Sequence, residues 1–238
     1  MENITEGLIA NDFLYVEATQ VILLLSQIAE ARIGDDQLFA QSWNTLEQDR
    51  YMADGGKYRK RRHATYATYQ AGDRAQLMPH QPHYQTIDYN PLNGGVARYF
   101  APIVDELHAS ITLAALLEFG NRLFSQISGH HQWHIELHQF RIEARDGKLG
   151  NPTPEGVHRD GVDFVIVVMI KRVNIDSGAT RIFDLDHRLV GEFTLLEPFD
   201  MALVNDRRVY HGVTPITQID EHREAYRDVL VITFKSRE

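Results

Sequence analysis

The 238-residue sequence contains no cysteine, so no disulfide framework can staple it, and any metal must be held by His, Asp, Glu or backbone oxygen. No apolar run approaches the roughly 20 residues that a membrane-spanning helix needs. The opening Met1-Glu2-Asn3-Ile4-Thr5-Glu6 lacks a basic stretch leading into an apolar one, so no secretory signal is read there. Positive charge is the minority sign: 24 Lys and Arg against 33 Asp and Glu leave a net charge of −9. Such a surface repels polyphosphate on average, which argues against nucleic acid as the main partner. Repeats, low-complexity tracts and Pro/Gly/Ser linkers are also missing, so nothing divides the chain. What is there is ordinary globular usage, 43% hydrophobic and 24% charged, which excludes disorder. The expectation is a single domain over residues 1–238, cytoplasmic and without a membrane partner.

The first third reads as helix and loop. A helix is expected from Thr19 through Ala31, stopped by Gly34, and a second over Asp36 to Met52. Pro102 is expected to open a third, running to about Ile127, with Val104, Leu107, Ile111, Ala114, Leu117, Phe124 and Ile127 on one stripe and Gly129 closing it. Beyond Gly129 the texture changes. His134 to Ala144 alternates and is rich in β-formers, and Val162 to Val173 is nearly continuous in Val, Ile, Phe and Met, as in a strand covered on both faces. Short strands are expected near Ala179–Leu185, Gly191–Leu196, Met201–Asn205, Arg208–Val213 and Arg227–Phe234. With turns and no helices between them, they fit an antiparallel sandwich or barrel rather than a parallel sheet. The fold class is therefore mainly β with flanking α: a helical region over 1–56 and a β core over 57–238 that includes a helix near 102–128.

Twelve histidines make the chain rich in metal ligands. Side chains two apart on a strand face the same way, so His-x-Asp or His-x-Glu grips one ion. Accident alone supplies about two such pairs at this composition, and three occur, so context must choose among them. His222-x-Glu224 lies in a polar connection with no later histidine. His134-x-Glu136 has His187 as its available third ligand, on what reads as a hairpin tip. His158-x-Asp160 differs: it follows the Pro-rich Asn151-Pro152-Thr153-Pro154 and precedes the most apolar strand, where a loop enters a buried sheet. Downstream, His211 ends another strand. Two imidazoles and one carboxylate form the facial triad that suits non-haem Fe(II), with positions left open. Arg227 opens the last strand on the face of Val229, Val231 and Thr233; it is either an edge arginine paired to a surface acid or a guanidinium gripping a carboxylate through two hydrogen bonds.

These residues resemble the Fe(II)/2-oxoglutarate-dependent dioxygenases, and more narrowly the bacterial free-amino-acid hydroxylases of the L-isoleucine dioxygenase type. The likeness is carried by Leu137-His138-Gln139-Phe140-Arg141, His158-Arg159-Asp160, Leu196-Glu197-Pro198, Tyr210-His211-Gly212-Val213-Thr214-Pro215 and Tyr226-Arg227-Asp228-Val229-Leu230-Val231-Ile232-Thr233-Phe234. It covers residues 130–238 well and the earlier part loosely, through Arg61-Arg62-His63-Ala64-Thr65-Tyr66. The resemblance implies a double-stranded β-helix, or jelly-roll, core. It implies Fe(II) on His158, Asp160 and His211, with 2-oxoglutarate anchored by Arg227. It also implies dioxygen as co-substrate and hydroxylation, or sulfoxidation, of a small substrate such as a free L-amino acid. Gln139 and Arg141 share one strand face and are expected to line the cavity, touching 2-oxoglutarate or the substrate carboxylate, or else to sit on a solvated strand. Two other readings stay open: a dioxygenase for a peptide, another metabolite or a nucleobase, and a jelly-roll binding module without turnover. The basic run Lys57-Tyr58-Arg59-Lys60-Arg61-Arg62 is either a phosphate contact, a solvated loop, or a set of arginines turned inward.

Overall fold

A computed structural model of the chain describes residues 1–33, 37–70, 72–90 and 92–237. Helix α1 (Glu2–Asn11), strand β1 (Phe13–Val16) and helix α2 (Ala18–Ala29) come first, then α3 (Gln37–Gln41) and a 3₁₀ turn (Ser42–Thr45). Next are β2 (Glu47–Gln48), β3 (Arg59–Thr68), β4 (Gln76–Leu77), α4 (Asp105–His108) and α5 (Ile111–Ser128). The remaining strands are β5 (Trp133–Glu143), β6 (Phe164–Val173), β7 (Ile175–Ser177), β8 (Thr180–Phe183) and β9 (Leu189–Phe193). Then follow β10 (Met201–Asn205), β11 (Tyr210–Val213), β12 (Ile216–Gln218) and β13 (Tyr226–Ser236). No helix among the described residues is long and apolar enough to cross a membrane.

The large sheet runs β1-β10-β6-β13-β5-β3-β2, with β4 also on β3, and its pairings are antiparallel. Smaller sheets β11-β8-β9 and β12-β7 complete the jelly-roll. Strand parity then decides what each side chain meets. On β5, the odd positions Trp133, Ile135 and Leu137 join α2 and α5 in the main core, as do Leu230, Ile232 and Phe234 of β13. The alternate positions of β13 and β6 face the other way. Val229 and Met169 pack with Leu195, and Val165 packs with Ile182 of the small sheet. This double coverage is why β6 reads as one unbroken apolar run.

The helices differ from expectation at their ends. The stripe expected from Pro102 is broken in two: α4 stops at His108, and Ser110 starts α5 by accepting the amide of Leu113. Helix α2 ends at Ala29, capped by the left-handed Glu30, and not at Ala31; the expected stop Gly34 lies outside the described residues. The expected second helix shrinks to α3 and the 3₁₀ turn, and its start at Asp36 is likewise outside them. Trp43 explains the change: its indole N–H donates to the carbonyls of Phe140 and Val229, docking the turn across β5 and β13. Helix α1 and strands β1, β3, β7 and β12 had no counterpart in the sequence reading.

Gly120 of α5 lies against the sheet so closely that a Cβ there would stand 2.4 Å from Phe234 Cζ and 3.0 Å from Ile166 Cδ1. Phe234 has no room to yield, being fully buried against Phe124 and Trp133. Gly120→Ala is therefore expected to lose about 1–3 kcal/mol by overpacking, which outweighs the roughly 1 kcal/mol that alanine gains in a helix. Urea unfolding checks this through a lower midpoint at unchanged slope.

Candidate metal centre and cavity

His158 and His211 face each other across a two-bond backbone bridge, each amide donating to the other's carbonyl at 2.9 Å. That pairing sets both rings on one side, with centroids 4.7 Å apart. Asp160 completes the group, with Oδ1 3.7 Å from His158 Nε2 and Oδ2 3.4 Å from His211 Nε2. One donor atom from each residue lies within 4.8 Å of the others, a separation that one ion can bridge. The Nδ1–H of His158 donates to the Gly156 carbonyl at 3.0 Å, which leaves Nε2 as the atom turned toward Asp160.

The loop carrying Asp160 is itself held. Asp206 accepts the amides of Asp160, Gly161 and Val162 at 2.8–3.1 Å, and Gln85 donates to the Asp160 carbonyl at 3.1 Å. Gly161 sits at φ +80°, where a Cβ would also strike the ring of Tyr89 at 2.6 Å, so the turn after Asp160 needs glycine. Burial works against charge on Asp160, but hydrogen bonds from His158 and His211 outweigh it and hold the carboxyl well below its usual range. Burial likewise opposes the imidazolium of His158; Asp160, then Glu155, overcome this and raise it to about 9. Burial and the charge of Asp160 push Asp206 up. A site that sets carboxylates beside an imidazole whose proton affinity is raised in this way is one where a divalent cation can take the proton's place.

Asp160 opens onto a cavity of about 200 Å³ enclosed by the inner faces of β3, β5 and β13 and by residues 83–98. Arg227 lies farther along β13, on the parity of Val231 and Thr233 but outside that lining; it is 2% exposed and leaves Nε and Nη2 without partners. Burial, then the neighbouring Arg172, pushes its guanidinium down to about 9. No ion pair among the described residues includes it, so the expected edge pairing to a surface acid is absent from them. A buried guanidinium without an anion fits a carboxylate ligand that the chain does not itself supply.

Gln139 and Arg141 are not where they were expected. They occupy odd positions on β5, the face turned to the helices, whereas His134, Glu136, His138 and Phe140 line the cavity. Gln139 donates to Ser42 Oγ at 2.8 Å, and Arg141 makes a two-pronged pair with Asp228 at 2.7 Å. Both fasten the 3₁₀ turn and the sheet; neither touches the cavity. The basic run also sorts by parity. Arg59 and Arg61 are buried inward, while Lys60 binds Glu143 and Arg62 binds the carbonyls of Thr45 and Pro102. The loop pair His222-x-Glu224 is exposed, and His187 stacks on Tyr210 at 4.4 Å, away from Glu136.

Sequence reasoning missed a second group, in which His63, His83 and His138 surround Glu136. Its signal was the alternation His134-x-Glu136-x-His138, polar against an apolar Trp133-x-Ile135-x-Leu137. That parity marks the even face as the cavity once helices are known to cover the odd one.

Comparison with known proteins gives a consistent result. The family model described as 2OG-Fe dioxygenase matches residues 40–233. L-isoleucine-4-hydroxylase of Bacillus thuringiensis is 25% identical over 228 residues, covering 94% of this chain and 91% of its own. A solved bsmA homolog from Methylobium petroleophilum PM1 superposes with a TM-score of 0.88 at 34% identity, over 99% of this chain and 92% of that one. IDO from Bacillus thuringiensis superposes with a TM-score of 0.78 at 21% identity, over 100% and 99%.

Proposed function

The chain belongs to the 2OG-Fe dioxygenase family, and on that premise we propose that it hydroxylates a free L-amino acid, using Fe(II) held by His158, Asp160 and His211. The enzyme is an oxidoreductase that takes Fe(II), 2-oxoglutarate, dioxygen and a small-molecule substrate. The observation that carries the proposal is the convergence of two imidazoles and a carboxylate at 3.4–3.7 Å, with the carboxylate of Asp160 lining the adjoining cavity. A relative across nearly the whole chain bears the name of an isoleucine hydroxylase, which supports the substrate class.

Bound at these residues, Fe(II) with 2-oxoglutarate supplies the oxidative decarboxylation that activates dioxygen and leaves succinate and carbon dioxide. The protein's part is placement. His158 offers Nε2 because its Nδ1 proton is committed to Gly156, and Asp206 with Gln85 fixes the Asp160 loop so that its carboxylate stays aimed between the two rings. Arg227 receives the far carboxylate of 2-oxoglutarate, the anion its buried guanidinium lacks. Val162 and Val231 supply apolar wall beside Asp160, so substrate packed there excludes water from the reacting carbon.

Incubation with Fe(II), 2-oxoglutarate, air and a panel of free L-amino acids is expected to give succinate that depends on one or a few aliphatic or thioether members. His158→Ala is expected to give none above background. Succinate equal in the two proteins with every amino acid would refute amino-acid turnover.

A further inference from the structure

The cavity beside the metal centre carries more charge than iron and 2-oxoglutarate use. Arg98 is 2% exposed, its Nε has no partner, and among the described residues its guanidinium makes one hydrogen bond, Nη2 to Gln85 Oε1 at 3.3 Å. No ion pair among the described residues includes it. Arg61, also buried, lies 3.5 Å from the Phe100 ring centroid and 4.5 Å from that of Phe140, and its Nε is unpartnered too. The available acid, Asp49, stands 3.8 Å from Arg61 and is already taken by Arg59 at 2.8 Å. Arg59 and Arg61 thus share one carboxylate and Arg98 pairs with none among the described residues, so the wall holds buried guanidinium charge without a matching anion in contact.

The same cavity holds the opposite sign. Glu136 Oε2 is 2.6 Å from His83 Nδ1, and the Nε2 atoms of His63, His134 and His138 stand 3.6 Å from its oxygens. Of these rings only His83 is within hydrogen-bond distance of Glu136, and burial lowers the proton affinity of His63, His83 and His138, which works against their supplying a counter-charge to its carboxylate. His63 is fully buried with both ring nitrogens unpartnered.

Resting on the reading above that the substrate is a free amino acid, we propose that this cavity is built for a zwitterion: Arg98, with Arg61 beside it, receives the substrate's carboxylate, and Glu136 receives its ammonium group. A neutral metabolite would leave both walls uncompensated, and a plain anion would leave Glu136 so. A second metal at Glu136 is disfavoured by one contact. Arg61 donates to His138 Nδ1 at 2.6 Å, which places that ring's proton on Nε2, the atom a metal would need.

The test uses Arg98→Met and Glu136→Gln in the full chain loaded with Fe(II) and 2-oxoglutarate. Binding of the amino acid that gives succinate is measured without oxygen by calorimetry, beside its C-terminal amide and its N-acetyl derivative. Wild type is expected to prefer the free amino acid over either derivative by about 100-fold, the scale for losing one partner of a buried charge pair. Arg98→Met is expected to lose the preference over the amide, and Glu136→Gln the preference over the N-acetyl compound, with 2-oxoglutarate affinity and iron content unchanged. Arg98→Met is also expected to melt no lower than wild type, because it removes a buried charge that has no partner; a merely structural arginine would give the reverse.

Unchanged preferences in both variants, or a lower melting point in Arg98→Met with its preference kept, overturn the zwitterion site. Weakened 2-oxoglutarate binding in Arg98→Met would assign Arg98 to the co-substrate. A second equivalent of metal lost in Glu136→Gln would make Glu136 a metal ligand. Failure of every free amino acid to stimulate succinate is a different result: it removes the functional reading itself.

Discussion

Asp160→Asn is expected to abolish amino-acid-dependent succinate formation while leaving the fold in place. The carboxylate is the group common to both imidazoles, at 3.7 and 3.4 Å, and it is the sole formal anion of the triad. Asparagine keeps the shape but removes the charge that offsets a divalent ion in a site whose His158 is 8% exposed. Loss of an outer partner of a metal ligand costs about 10–100-fold in affinity, so losing a ligand's charge is expected to cost more than about 100-fold. The loop itself hangs on the backbone amides of Asp160, Gly161 and Val162, all accepted by Asp206, and asparagine retains those bonds. Iron titration with calorimetry, beside thermal melting, separates the two effects: little metal bound, and a melting point near that of the apo wild type. One competitor is specific. Glu155 Oε1 lies 3.5 Å from His158 Nε2, and its other oxygen is buried without a partner. Iron binding that survives Asp160→Asn and disappears in Glu155→Gln would move the carboxylate ligand to Glu155.

The triad was legible because its three residues are local features of sequence. His158-x-Asp160 stands where a Pro-rich loop meets the apolar β6, and His211 stands in a β-former run. Their meeting needed one long-range pairing, the bridge between His158 and His211, which the order of the jelly-roll strands brings about. The longer β strands after Gly129 were legible for the same reason, with Met201–Asn205 matching β10 end to end, while the three-residue β7 and β12 were not. Arg227 was readable as an inward residue because Val229, Val231 and Thr233 share its face.

Gln139 and Arg141 were expected to line the cavity or to sit on a solvated strand, and parity alone does not say which face of β5 the cavity takes. Here both faces are interior. The apolar face lies under α2 and α5, while the polar face, His134, Glu136 and His138, lines the cavity. Gln139 and Arg141 belong to the first face and are satisfied there by Ser42 and Asp228. Strand β3 was hidden for a related reason. Arg59, Arg61 and His63 look like a solvated basic segment, and only their register against Ile142, Phe140 and His138 shows that alternate members enter the cavity. His83 and Arg98 come from an irregular stretch whose position is set by their mutual backbone bridge, a contact with no periodic signal.

Arg227→Met is expected to separate co-substrate binding from metal binding, and to make the apo protein more stable. The guanidinium is buried beside Arg172, and its Nε and Nη2 donors have no partners, so the apo fold bears its desolvation uncompensated. When 2-oxoglutarate binds, its distal carboxylate is expected to accept those donors. Removing one side of such a pair costs roughly 3 kcal/mol, or about 100-fold in Kd. Methionine fills much of the arginine stem's volume, which limits the cavity it leaves. The sign of the stability change follows from linkage. Burial lowers the pKa to about 9, well below the ordinary guanidinium range, so below pH 9 the folded chain carries a charge it would rather shed, and that cost is full at neutral pH. Above pH 9 the unfolded chain keeps a proton the folded chain has lost, so stability from this group rises with pH and the advantage of methionine shrinks. The measurements are anaerobic titration of 2-oxoglutarate into the Fe(II) protein and melting of the apo forms at pH 7 and pH 10. Weakened 2-oxoglutarate binding, intact iron binding and a raised melting point at pH 7 are the expected set. A lowered melting point with iron and 2-oxoglutarate lost together would make Arg227 a structural residue, and the dicarboxylate would need another anchor.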